Sequence, residues 1–391
     1  MKAVAMRGSI MKRRTQAYVS LILISSTLTL IAAGCNEQPP AATLWNTPPL
    51  QWLTLPSLPD EHGFAGGYSG TLEREGISYL MFAGGANFSN GFPWEGGEKQ
   101  WYDDIYLSDG ASDWNKAGEL PNAAAYGLSL SHEGSIYLIG GDQGCGKPSD
   151  AVYALSLQEK DVRMITLPPL PQATYNLCGA IIGESIYVAG GTDGSRTFAH
   201  FWSLNLERPE DGWQALPTWP GPPRMLAVAG VVDDEFFLFG GVELVGPAET
   251  LSRQYLRDAY AYSEDRGWRK LADMPAVRAA SPSPAISLSS RQQLVVLAGS
   301  DGSLDGQNDI LREHHPGFPI ENYIYDVPSD SWQLHSVMPR VRGHLTPTGR
   351  DGVWSPVTTN TVLWNGGVVV PSGEIKPGVR TPKILFAPLP D

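Results

Sequence analysis

Short apolar runs recur along the chain, each ending in small residues: 79–82 before Gly84-Gly85, 136–139 before Gly140-Gly141, 186–189 before Gly190-Gly191 and 236–239 before Gly240-Gly241. Two degenerate copies follow, 294–298 before Gly299-Ser300 and 368–370 before Ser372-Gly373. Apolar runs this short, closed by turn formers, predict buried strands rather than helices. A second series alternates with the first. In it an indole, or once a thioether, stands seven residues before a proline: Trp52 and Pro59, Trp114 and Pro121, Met164 and Pro171, Trp213 and Pro220, Trp268 and Pro275, Trp332 and Pro339. Six coincidences at one offset, 49 to 64 residues apart, mark an internal repeat several strands long. Neither end of the chain holds a complete unit, because the Trp52 strand precedes the first diglycine and a strand over 381–386 follows the last. Joined, the two ends make one.

Strand, diglycine, aromatic strand and tryptophan strand at this spacing resemble the kelch repeat, one four-stranded blade of a propeller. The resemblance implies an all-β, six-bladed kelch-type β-propeller over residues 46–391, its ring closed by the N-terminal strand. That strand is expected to supply the outer strand of the sixth blade and so remove an exposed edge. Composition agrees: 43 glycines and 32 prolines leave little room for long helices.

Residues 1–34 belong outside the fold. Lys2, Arg7, Lys12, Arg13 and Arg14 precede an apolar run from 17 to 33, the pattern of a secretory signal. The run ends in Ala32-Ala33-Gly34-Cys35, which resembles a bacterial lipobox. It implies cleavage before Cys35, lipidation of its thiol, a tether over 35–45, and a location at the cell envelope facing the periplasm. An ordinary cleaved signal peptide is the alternative. The leader carries five positive and no negative residues, so its loss takes the formal charge from −13 to −18. Such a balance argues against nucleic acid, whose phosphates are met by Lys and Arg, and leaves the membrane to the lipid anchor alone.

Propeller topology gathers the segments after each diglycine and after each Trp-to-Pro stretch on one face. Asn87, Trp94, Lys99, Trp101, Tyr126, Arg224, Arg278, Arg342, Glu374 and Arg380 are expected there. Four arginines near one mouth of an acidic protein suit an anionic small ligand, because the guanidinium presents a fixed fork to a carboxylate. For any single arginine, stacking on a blade edge is the other reading.

The segment Gly373-Glu374-Ile375-Lys376-Pro377-Gly378-Val379-Arg380-Thr381 resembles the G-E-x-[KR]-P-G-x-R-T loop of the cyclically permuted mutarotase branch of kelch proteins, the sialic acid mutarotases. Phe82-Ala83-Gly84-Gly85-Ala86, Glu95-Gly96 with Lys99, and Gly118-Glu119-Leu120 followed by Tyr126-Gly127 agree with that family. Ala124 stands where the family usually has arginine. The resemblance implies a mutarotase interconverting the α and β anomers of N-acetylneuraminate or a related acidic sugar, without a metal or organic cofactor. It casts Glu374 as catalytic base and Arg380 as the group that binds the substrate carboxylate. Asn87, Lys99, Arg224, Arg278 and Arg342 are the further substrate-binding candidates. A carboxylate drawn partly out of water is more basic, as a general base requires. The rival function class is a non-catalytic propeller that binds glycan or protein, since a fold does not by itself establish chemistry.

Cys145 and Cys178 are expected on the same face of adjacent blades, and export to an oxidising compartment permits a disulfide there. Two free thiols are the alternative. The seven histidines show no H-E-x-x-H or comparable spacing, so no metal site is read from the sequence.

Overall fold

The computed structural model describes residues 47–159, 161–342 and 349–390. The leader, Cys35 and the tether lie outside them. Among the described residues, six four-stranded antiparallel sheets form the blades of a propeller. Blade 1 runs from the axis outward through Tyr68–Arg74, Ile77–Ala83, Asp104–Ser108 and Asn115–Glu119. The inner strands of blades 2 to 5 are Leu128–His132, Cys178–Ile182, Val228–Val232 and Ile286–Leu288. Blade 6 takes Val362–Trp364, Gly367–Pro371 and Ile384–Pro388 from the end of the chain and its outermost strand, Leu53–Leu55, from the beginning. Leu53 pairs with Phe386 and Leu55 with Ile384.

The continuous apolar strands follow from burial on both faces. In blade 4, Phe236 and Leu238 pack with Tyr187 and Phe201 of blade 3. Phe237 and Phe239, pointing the other way, pack with Leu294, Val296 and Tyr325 of blade 5. The repeated tryptophan is an inter-blade clasp. The indole N–H groups of Trp114, Trp213, Trp268 and Trp332 donate to the carbonyls of Pro56, Pro168, Pro217 and Ala272 at 2.7 to 3.0 Å. Each acceptor stands four residues after the Trp or Met of the preceding blade, so the indole's one polar atom is satisfied by its neighbour while its body is wholly or partly buried.

Each diglycine turns with two successive positive φ angles, and its first member touches the next blade. A Cβ on Gly190 would lie 2.4 Å from the Arg224 carbonyl oxygen. In the fifth copy the two positive angles fall on Ala298 (φ 36) and Gly299 (φ 102), so that pair, rather than Gly299-Ser300, is the equivalent of the diglycine. In the sixth, Ser372 (φ 60) replaces the first glycine, and its hydroxyl accepts from Phe64 N–H at 2.8 Å while lying 2.7 Å from the Thr381 carbonyl.

Around the axis the blades are joined by a closed ring of six backbone hydrogen bonds. The N–H of Gly66 donates to Thr358, Thr358 to Ala280, Ala280 to Leu226, Leu226 to Asn176, Asn176 to Tyr126, and Tyr126 back to Gly66, at 2.7 to 2.9 Å. All six residues have positive φ, between 49 and 68°.

Candidate active site

One residue beyond each diglycine, the chain forms an isolated antiparallel bridge with the residue just before the ring member that leads into the inner strand of the same blade. The six bridges are Ala86 with Ala65, Asp142 with Ala125, Thr192 with Tyr175, Val242 with Met225, Ser300 with Ala279 and Glu374 with Val357. These positions surround a cavity of about 640 Å³ at one mouth of the ring, with Asp142, Thr192, Ser300 and Glu374 in its lining. Its floor includes Tyr126, Asn176, Leu226, Ala280 and Thr358, five of the six ring residues.

In blades 1, 4 and 6 the post-diglycine residue opens a two-stranded hairpin, which sets its cross-strand partner over the cavity. The partners are Ala86 with Trp101, Val242 with Tyr255 and Glu374 with Arg380. The blade 6 hairpin joins Glu374–Lys376 to Val379–Arg380 through Pro377-Gly378, with Gly378 at φ 77 supplying the left-handed turn position. Ile375 and Val379 are buried with Trp354, and Phe92 and Trp94 of the blade 1 loop pack against them. The hairpin is therefore held from two sides.

The register brings the Arg380 guanidinium to 3.0 Å from Glu374 Oε1, which also accepts the Gly378 N–H at 2.9 Å. The Arg380 side chain is 4% exposed, and its Nε and Nη1 make no aligned hydrogen bond. It lies over the Phe88 ring at 4.8 Å. Burial pushes the guanidinium down, but the Glu374 carboxylate and the Tyr126 hydroxyl more than offset this and hold it above its ordinary range. The Lys99 ammonium stands 5.0 Å from the Tyr126 ring centroid and 5.6 Å from that of Trp101. Glu374, Arg380, Lys99 and Tyr126 thus share one wall, combining a carboxylate, two cations and a phenol.

The other ligand candidates have different work. Asn87 is fully buried, accepting from the Tyr102 hydroxyl at 2.8 Å and donating to the Gly63 carbonyl at 3.1 Å. Arg224 is fully buried between Trp219 and Tyr260, bidentate to Asp258 at 2.9 and 2.8 Å, and donates to the Gly240 carbonyl. Arg278 is buried, 3.3 Å from Glu321 and over Tyr323. Each arginine stands two residues before a ring member, where the side chain turns into the cleft between blades instead of the mouth. Arg342 is exposed, lies over Trp354 and does not line the cavity. Asn87, Arg224 and Arg278 are thus corrected from ligand contacts to scaffold.

The disulfide is corrected as well. Both thiols are free, with Cys145 exposed at the cavity rim and Cys178 buried in the core between blades 3 and 4 with Tyr187 and Trp219. An inner-strand side chain that faces a blade interface cannot reach a rim loop.

The rest of the lining carries Asp142 and four groups the sequence does not single out: Tyr175, Arg253, Tyr255 and Asp305. The Tyr255 hydroxyl donates to Asp305 at 2.8 Å. Two signals were present. Asp142 occupies the same post-diglycine slot as Glu374, and Tyr255 the same hairpin slot as Arg380.

Comparison with known proteins places this geometry among relatives. Residues 30–164 and 167–389 match the family model for N-acetylneuraminate epimerase. A protein of that name from Haemophilus influenzae (strain 86-028NP) is 29% identical over 231 residues, 55% of this chain and 57% of its own. Its namesake from Pasteurella multocida (strain Pm70) is 25% identical over 232 residues, with the same two shares. One from Brucella suis (strain ATCC 23445 / NCTC 10510) is 34% identical over 115 residues, 27% of this chain and 28% of its own. In the longer of these matches the chain spans little more than half the length of the relative.

Proposed function

The chain belongs to the N-acetylneuraminate epimerase family, and from that premise we propose that it is a mutarotase interconverting the α and β anomers of N-acetylneuraminate or a related acidic sugar. The observation that carries the reading is the Glu374–Arg380 pair, fixed across a hairpin at the edge of a cavity sized for a small ligand. The Glu374 carboxylate takes the proton of the anomeric hydroxyl as the ring C–O bond breaks. The open-chain keto acid turns its carbonyl about a single bond and recloses on the other face. Arg380 holds the substrate carboxylate with its guanidinium, and Lys99 adds a second positive charge beside it.

Anomer exchange in N-acetylneuraminate, followed by NMR with and without the protein, tests this. Accelerated exchange is expected. Binding without acceleration would give the site to a non-catalytic glycan receptor.

Lipid anchoring at Cys35 on the periplasmic side is part of the same proposal. It rests on the Ala32-Ala33-Gly34-Cys35 sequence. Metabolic labelling with a fatty-acid analogue should mark the wild type and leave Cys35→Ser unmarked.

A further inference from the structure

Ring opening needs two proton transfers, and Glu374 accounts for only one. As the anomeric hydroxyl loses its proton to Glu374, the ring oxygen leaves C2 with the bonding electron pair and must be protonated. Glu374 cannot supply that proton while it is receiving the other. The cavity offers three phenols, Tyr126, Tyr175 and Tyr255.

Their surroundings differ. Burial, followed by the negative fields of Asp142 and Asp193, outweighs the opposing charge of Arg253 and pushes the Tyr175 hydroxyl up, making it a poorer acid. The Tyr255 hydroxyl is also pushed up by burial, and its proton is already engaged with Asp305 at 2.8 Å. Tyr126 instead has cations beside it, with the Lys99 ammonium 5.0 Å from its ring centroid and the Arg380 guanidinium interacting with its hydroxyl. A phenolate forming there is stabilised as it forms.

Its seat is also fixed. Tyr126 has φ 61, a conformation a bulky residue rarely adopts, and is held there by two bonds of the axial ring, its own N–H to Gly66 and its carbonyl from Asn176, both 2.7 Å. Gly66 makes room for the ring, since a Cβ there would lie 2.5 Å from it. Among the six ring residues, Tyr126 is the only one with a phenol; the others are Gly66, Asn176, Leu226, Ala280 and Thr358.

We propose that the Tyr126 hydroxyl gives its proton to the departing ring oxygen and takes it back on reclosure, while Arg380 spans the two groups that exchange protons. The inference rests on the mutarotase reading. Atoms balance over a turnover: Glu374 gains the anomeric proton and Tyr126 loses one, and reclosure returns each, so no further reactant enters.

The test is Tyr126→Phe, which keeps the ring, its contact with Lys99 and the backbone, and removes the hydroxyl that meets Arg380. Exchange of N-acetylneuraminate should fall by about 10² to 10³, in kcat rather than KM, because water replaces a positioned acid poorly. The decline of kcat at alkaline pH should vanish, and replacing Tyr126 by the more acidic 3-fluorotyrosine should move that decline to lower pH. Wild-type kcat in the Phe variant overturns the proposal. So does an alkaline decline that survives in Tyr126→Phe and disappears in Lys99→Met, which would assign the proton to the ammonium. If the wild type itself does not accelerate exchange, the mutarotase reading falls and takes this inference with it.

Discussion

Replacing Glu374 by Gln removes one negative charge and the basicity while keeping the side chain's length and its ability to accept the Gly378 N–H, which lies 2.9 Å away in the wild type. Three effects separate. Loss of a positioned base should reduce kcat for anomer exchange by about 10² to 10⁴. Arg380, 4% exposed and ion-paired to Glu374 at 3.0 Å, loses its partner, so the ligand-free protein should be destabilised; breaking a buried pair costs roughly 3–5 kcal/mol, and partial exposure of Glu374 makes that an upper figure. Binding moves the opposite way. In the proposed complex the sugar carboxylate and Glu374 share one guanidinium; two carboxylates about 5 Å apart repel by about 3 kcal/mol at an effective dielectric of about 20, before screening by salt. The neutral amide removes that repulsion, so affinity for the acidic sugar should rise, by about tenfold if half the repulsion survives screening. Calorimetric titration, thermal melts with and without sugar, and NMR exchange measure all three. Unchanged exchange removes Glu374 from the mechanism. A large loss of affinity alongside the loss of rate would mean that the carboxylate contacts sugar hydroxyls and that Arg380 does not hold the acid.

The remaining expectations are briefer. Arg224→Met leaves Asp258 and the Gly240 carbonyl without their partner and should cost about 3–5 kcal/mol in a denaturant titration, with exchange per folded molecule unchanged; lost affinity with normal stability would return Arg224 to the ligand. Deleting residues 36–60 removes Leu53–Leu55 and bares the edge of Ile384–Pro388, so that protein should aggregate or melt well below the intact chain. In a Cys35→Ser chain one thiol, Cys145, should react with an alkylating agent in the folded state and be slowed by sugar, because burial pushes Cys178 up to about 12 and closes it off; two labelled thiols refute this. Burial, then Arg342 and Arg340, push the Lys376 ammonium down to about 8. Between there and its ordinary range near 10.5 the unfolded chain binds more protons, so this group's contribution to stability rises with pH; melts from about pH 8 to about pH 9.5 should show an upward slope that flattens in Lys376→Met.

What the sequence disclosed was the part of the molecule that is local or repeated. Glu374 and Arg380 are six positions apart on one hairpin, so their register is written in the Pro377-Gly378 turn between them. The blade count could be read because diglycine and tryptophan meet the same packing demand in successive blades. The rest of the lining was hidden because Tyr175, Arg253 and Asp305 come from different blades and meet only once the ring has closed. Arg224 and Arg278 misled for a different reason. Topology located their backbone on the right face, but one step along an extended chain reverses a side chain, and nothing in residue type tells mouth from cleft. Ala298 standing for a glycine shifted the fifth diglycine by one residue for the same lack of a local marker.

The axial circuit of six backbone hydrogen bonds has one more consequence. A helix end or a sheet edge leaves N–H and C=O groups wanting partners, but here every ring N–H is spent on the next carbonyl and the circuit has no terminus. It needs no water to complete it and offers its N–H groups to no sugar. Recognition is thereby delegated to whatever side chains stand on it, here Tyr126, Asn176, Leu226, Ala280 and Thr358. The hydrogen bonds of the circuit are backbone to backbone, so changing those side chains, within what a positive φ admits, is a route by which one propeller can be refitted to a different ligand while its closure is kept.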